Sequence, residues 1–169
     1  MMKKNQISVL CKKAVFTALV YVVTAYLHIP VGNGYVHIGD GLIFLAACLL
    51  PRPYAISVGA CGAFLADALT GYLAWAPGSI LLKALTAVLF TCKSKRIVTL
   101  RNTCALLPAA IVCAGGYYLS EALIYGNWIS PLAAIPSNLM QSAASAILFL
   151  VVGLALDQTK GTAKLRGTN

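Results

Sequence analysis

The chain has 169 residues, 60% hydrophobic and only 10% charged, with a formal net charge of +9. Soluble domains carry about a quarter charged residues, so the composition excludes an ordinary soluble enzyme and points to an all-α integral membrane protein. The positive excess does not mark a nucleic-acid binder, because the basic residues stand in short clusters between apolar runs.

Those clusters set the expected topology. Lys3, Lys4, Lys12 and Lys13 precede the first apolar run, and Arg52 lies in the Pro51-Arg52-Pro53 turn. Lys93, Lys95, Arg96 and Arg101 fill a later break, and Lys160, Lys164 and Arg166 close the chain. The breaks at 29–39, 71–77 and 121–135 hold no Lys or Arg. Alternating basic and non-basic breaks predict a six-transmembrane-helix bundle with both termini in the cytoplasm. The expected units are a basic N-terminus over 1–12, a membrane domain over 13–157 and a basic tail over 158–169. The basic start lacks a small-residue cleavage site after its apolar stretch, which favours a retained first helix over a signal peptide. The six cysteines (11, 48, 61, 92, 104 and 113) form no CxxC and have no histidine at ligand spacing. They read as small hydrophobes or reduced thiols, with no metal or disulfide expected.

Helix 1 is predicted from about Lys13 to His28, with Ala14 and Ala18 four residues apart. Such spacing lets another helix approach closely, and ordinary packing inside the bundle is the simpler explanation than a docking face. Residues 29–41, IPVGNGYVHIGDG, are broken by Pro30 and four glycines and are not helical. The apolar run that follows, Leu42 to Leu50, covers about 14 Å as helix, against ~30 Å of hydrocarbon. The preceding loop is therefore expected to be partly buried on the extracellular side, dipping into the membrane or capping a depression. Within it Asn33, Tyr35 and His37 are ligand candidates, while Asp40 reads as the N-cap of helix 2.

Helix 3, about Tyr54 to Gly71, places Ala55, Gly59, Ala63, Asp67 and Gly71 on one face. Small residues there explain close packing; the acid needs another reason. Helix 4, Gly78 to Cys92, follows Trp75-Ala76-Pro77 and carries Lys83. Counted from the turn, Asp67 and Lys83 should lie at similar depth, which makes them a buried ion pair, ligand contacts, or both. Helix 5, about Leu106 to Ala122, ends with Tyr117 and Glu121. Helix 6 opens at Pro136 and carries Asn138, Gln141, Ser142 and Ser145 on one inward face. Aromatic, amide and isolated charged groups thus converge at one end, which describes a pocket for a small flat polar heterocycle. Tyr35, Trp75 and Tyr117 are placed to stack on it, and Asn138 and Gln141 to bond its edge. Asp67 and Glu121 leave room for a cationic ligand, Lys83 for an anionic one. No phosphate-binding GxxxxGK[ST], HExxH or GxSxG motif occurs, and no cofactor is expected.

The stretch GYVHIGDGLIFLAACLLPRPYAISVGACGAFLADALTGYLAWAPGSILLKALTAVLF resembles the second to fourth helices of substrate-binding S components of energy-coupling factor (ECF) transporters. The nearest branch is the one with riboflavin-, pyridoxine- and hydroxymethylpyrimidine-type members. Ala14 and Ala18 match the AxxxA element of their first helix, and the resemblance extends over residues 10 to 157. It implies a protein of the bacterial cell membrane that captures a vitamin or vitamin precursor outside, under the loop after helix 1. It also implies docking through Ala14 and Ala18 onto a transmembrane T component driven by two cytoplasmic ATPases. Two other classes are weighed against it. An integral membrane enzyme would use Asp67, Lys83 and Glu121 as acid–base groups, but they lack a recognised catalytic spacing. A structural bundle would have no use for the polar stripe on helix 6.

Overall fold

The computed structural model describes residues 4–31, 34–159 and 161–166. The chain forms α1 (Lys4–Tyr26), a hairpin of β1 (His28–Val31) and β2 (Gly34–His37), then α2 (Gly39–Leu49), α3 (Arg52–Leu69) and α4 (Ala76–Leu89). A short α5 (Leu100–Cys104) leads into α6 (Leu106–Tyr125). A 3-10 turn (Ser130–Ala134), α7 (Ile135–Gln158) and a short α8 (Gly161–Arg166) complete it. Gln6–Tyr26, Leu100–Tyr125 and Ser130–Gln158 are long and apolar enough to cross a membrane, whereas α2 and α4 are apolar but shorter.

The organising element is α2. It is apolar on every side and buried along nearly its whole length, as such a helix must be. Helices α1, α3, α4 and α7 all pack against it, while α1–α3, α3–α4, α4–α6 and α6–α7 contacts run round the outside. Phe44 of α2 stacks on Phe90 at 4.5 Å between centroids, with Phe149 edge-on to both, and this cluster fills the end of the bundle away from the hairpin. Glycine permits the closest approaches. A Cβ at Gly59 would stand 2.8 Å from the Lys83 carbonyl oxygen, and one at Gly62 would stand 2.6 Å from Val20 Cγ1.

Eleven residues of α2 rise only about 16 Å. The space above its N-terminus is covered by the non-helical segment, which is an antiparallel hairpin pairing His28 with His37 and Pro30 with Tyr35. In that register Tyr35 and His37 share one face with Pro30 and His28, while Ile29 and Val31 pair with Val36 and Gly34 on the other.

Several boundaries differ from expectation. The first helix begins at least nine residues earlier than Lys13, continuing through the basic segment. The fifth and sixth predicted helices correspond to α6 and α7, and α7 starts one residue before Pro136. Ala14 and Ala18 do not pack inside the bundle. Both are exposed, whereas Val20, Thr24 and Ala25 face inward.

At the far end Asn102, fully buried, knots the 90–98 segment to the helices. Its Nδ2 donates to the carbonyls of Thr91 and Ile97 (3.1 and 3.0 Å) and to Cys48 Sγ, and its Oδ1 accepts from the Thr91 N–H. Asp157 accepts from the Ile97 and Val98 N–H groups, each at 2.9 Å, and from Thr162. Asn102→Ala strands the buried Ile97 carbonyl and two half-buried groups of Thr91, and is expected to cost about 2–3 kcal/mol. Thermal unfolding in detergent should show a fall of several degrees at unchanged helix content.

Candidate substrate pocket

The hairpin and the upper ends of α1, α2, α3, α4, α6 and α7 enclose a cavity of about 230 Å³. Nine residues singled out by the sequence line it: Tyr35, His37, Asp67, Trp75, Lys83, Tyr117, Glu121, Asn138 and Gln141. Asn33 lies outside the described residues. Tyr72, Ser79, Tyr125 and Asp40 also line the cavity, and sequence reasoning did not assign them to it. Tyr125 stands two turns from Tyr117 on the same helix face, a signal that was available. For Asp40 the signal was its neighbours. A Cβ at Gly39 would collide with Thr24 Oγ1, and one at Gly41 would stand 2.6 Å from the Ser145 carbonyl oxygen. Glycines on both sides of an acid mark a helix start pressed between two others.

The charge pairing corrects the sequence expectation twice. Lys83 does not pair with Asp67; its Nζ lies 2.9 Å from each carboxylate oxygen of Asp40. Nor does Asp40 cap α2. The cap position is Ile38, and Asp40 sits within the first helical turn, where its charge still suits the helix dipole. The physical reason is depth. Asp67 stands about 3 Å inside the end of α3, while Lys83 stands about 10 Å inside the start of α4, at ~1.5 Å per residue. Lys83 is level with Gly59 and meets α2 instead.

A connected set of contacts follows from that pair. Gln141 Nε2 donates to Asp40 Oδ2 at 3.1 Å, and the His37 N–H donates to Gln141 Oε1 at 3.3 Å. The hairpin is thereby tied through α7 to the buried ion pair. Lys83 Nζ also lies 4.8 Å from the centre of the Tyr117 ring, a cation–π contact, and Tyr117 Oη is 3.0 Å from Ser79 Oγ. His37 is buried, and its Nδ1 accepts from the Gly39 N–H at 3.1 Å, which leaves the ring proton on Nε2. Burial pushes its pKa down to about 4, so the hairpin presents a neutral imidazole.

Asp67 is joined to the hairpin separately: Tyr35 Oη donates to its Oδ1 at 2.6 Å. Its Oδ2 is buried with no hydrogen bond of its own, and the Ser79 hydroxyl, 3.0 Å from Tyr117 Oη, lies close to the carboxylate. Tyr35, Tyr72, Trp75 and Tyr125 follow one another edge to face, with centroids 4.8, 5.6 and 6.2 Å apart. The Trp75 indole N–H lies beside the Glu121 carboxylate without a well-formed bond to it. Along α7 Gln141 and Ser145 are buried, and Asn138 and Ser142 half-buried. The arrangement offers aromatic faces, an amide edge and a carboxylate to a small molecule. It offers no exposed catalytic dyad.

A family model described as "ECF-type riboflavin transporter, S component" matches residues 4–158. No curated protein matches the chain. Among solved structures, the S component of a bacterial ECF transporter superposes with a TM-score of 0.73 at 20% identity, over 91% of this chain and 98% of that one. At that identity the likeness establishes a shared fold, and the family match covers nearly all of the described helices. Families of this kind are membrane-embedded transporter subunits rather than enzymes. With the cavity, the fold and the sequence match in agreement, this chain belongs to the ECF-type riboflavin transporter S component family, as the substrate-binding subunit of an ECF transporter.

Proposed function

We propose that this S component captures a small, flat, water-soluble heterocycle, a vitamin or vitamin precursor, at the outer face of the bacterial plasma membrane. The observation that carries this is the cavity itself. It is roofed by the hairpin, walled by aromatic rings and lined by the polar side chains of six helices. At about 230 Å³ it falls just below the ~300–1,000 Å³ range of ligand pockets, which suits a compact ring system. The basic clusters support six spans with both termini in the cytoplasm, which turns the hairpin outward. Tyr35, His37, Asp67, Trp75, Lys83, Tyr117, Glu121, Asn138 and Gln141 then serve as the binding set, Lys83 mainly through its hold on Asp40 and Tyr117. Inward delivery uses a transmembrane T component and two ATPase subunits, engaged through the exposed Ala14 and Ala18 of α1.

The test is mass spectrometry of small molecules released by heating protein purified after expression in rich medium. One heterocyclic compound in near-stoichiometric amount is the expected result. A blank from protein that is folded and monodisperse counts against capture.

A further inference from the structure

We propose that the pocket selects a cation: a compact aromatic nitrogen heterocycle bearing a fixed or acquired positive charge, held by Asp67 inside the aromatic wall. This rests on the capture function above and narrows its substrate class.

Four charged side chains line the cavity: the carboxylates of Asp40, Asp67 and Glu121, and the ammonium of Lys83. From the sequence, Lys83 could have received an anionic group. The structure disfavours that option. Lys83 is 2% exposed, bound to both oxygens of Asp40 and laid against the Tyr117 ring. Its charge is matched by Asp40, so a phosphate or carboxylate would have to compete with Asp40 for it. What remains is Asp67 and Glu121, two acids without a basic partner among the described residues that line the cavity.

Asp67 is the more demanding of the two. It is 4% exposed, and only Oδ1 has a donor. A buried carboxylate with an unfilled oxygen is costly unless a ligand donates to it. Around it Tyr35, Tyr72 and Trp75 all line the cavity, packed edge to face at 65° and 73° to one another. Aromatic faces attract cations, the more strongly where water is excluded. A phosphate ester would instead bring negative charge against two carboxylates at low dielectric, where repulsion is large. A neutral ring would fill the space but leave both acids without a cationic partner.

The experiment is a titration of the purified full-length protein in detergent, followed by tryptophan fluorescence, with a fixed panel. Thiamine and a hydroxymethyl-aminopyrimidine are the cationic or protonatable members. Riboflavin and pyridoxine are the neutral ones, and riboflavin phosphate and pyridoxal phosphate the anionic ones. A cationic member is expected to bind about tenfold or more tighter than any neutral one, with the phosphates not binding. Asp67→Asn is nearly isosteric and keeps an oxygen for Tyr35 while replacing the open acceptor with a donor. It is expected to weaken the cationic member about 10- to 100-fold at an unchanged thermal transition. Tightest binding by a neutral or anionic member, or an Asp67→Asn protein that binds as the wild type does, overturns the proposal and leaves capture standing. If heat releases a compound outside the panel, its charge at neutral pH decides in the same way. Failure of the whole panel together with a clean heat-release blank overturns capture, and the proposal falls with it.

Discussion

Asp40→Ala is expected to lower stability by about 3–5 kcal/mol, because it leaves the Lys83 ammonium buried and unpaired. The same substitution removes the acceptor of Gln141 Nε2 and so loosens the link between α7 and the hairpin. In a chain of this size the melting temperature should fall on the order of 10 °C. Lys83→Met should be similarly damaging, since it strands the Asp40 carboxylate. The informative variant is the pair Asp40→Leu with Lys83→Met. Two apolar side chains of similar volume cancel the desolvation cost of both charges, so much of the lost stability should return. Ligand binding should not return with it, because Tyr117 and Gln141 lose the partners that orient them. Asp67→Asn serves as the control. If Asp67 were the partner of Lys83, it would destabilise as severely as Asp40→Ala. The observed geometry predicts a change of under about 1 kcal/mol, because Tyr35 can still donate to the amide oxygen. Equal destabilisation by the Asp40 and Asp67 variants would contradict the Asp40–Lys83 pairing.

That contrast also shows where the sequence stops being legible. The polar stripe on α7, the glycine-alanine face of α3 and the short second helix could all be read from spacing, because each depends on one helix alone. The ion pair could not, because it depends on where two helices begin. Starting α4 at Ala76 rather than Gly78, and α2 at Gly39 rather than near Leu42, moves Lys83 down by about half a turn and brings Asp40 inside a helix. Shifts of that size are ordinary for helix ends judged from sequence. Here they change which acid meets the lysine. The hairpin escaped for a different reason. Its strands are four residues each, and Pro30, Gly32 and Gly34 give turn signals that hide the alternation.

The second large effect lies on the opposite side of α1. Ala14 and Ala18 share an exposed face with Val15, Leu19 and Val22, while the helix turns Val20 and Thr24 to the bundle. Nothing inside the fold requires small residues there, since the close approach to α3 is made at Gly62 against Val20. Small side chains on an outward face allow another helix to come near. Ala14→Leu combined with Ala18→Leu should therefore leave stability within about 0.5 kcal/mol and ligand affinity unchanged. If a T component docks on this face, two added isobutyl groups overpack the contact, at about 1–3 kcal/mol each. Uptake of radiolabelled substrate by cells should then fall about 10- to 100-fold or more, and co-purification of the T component and ATPases should fall in parallel. Full uptake by the double variant would move the docking surface to another helix. Loss of ligand binding or of folding would mean that these alanines pack within the subunit after all, and only the combination of intact capture with failed delivery fits the proposed role of α1.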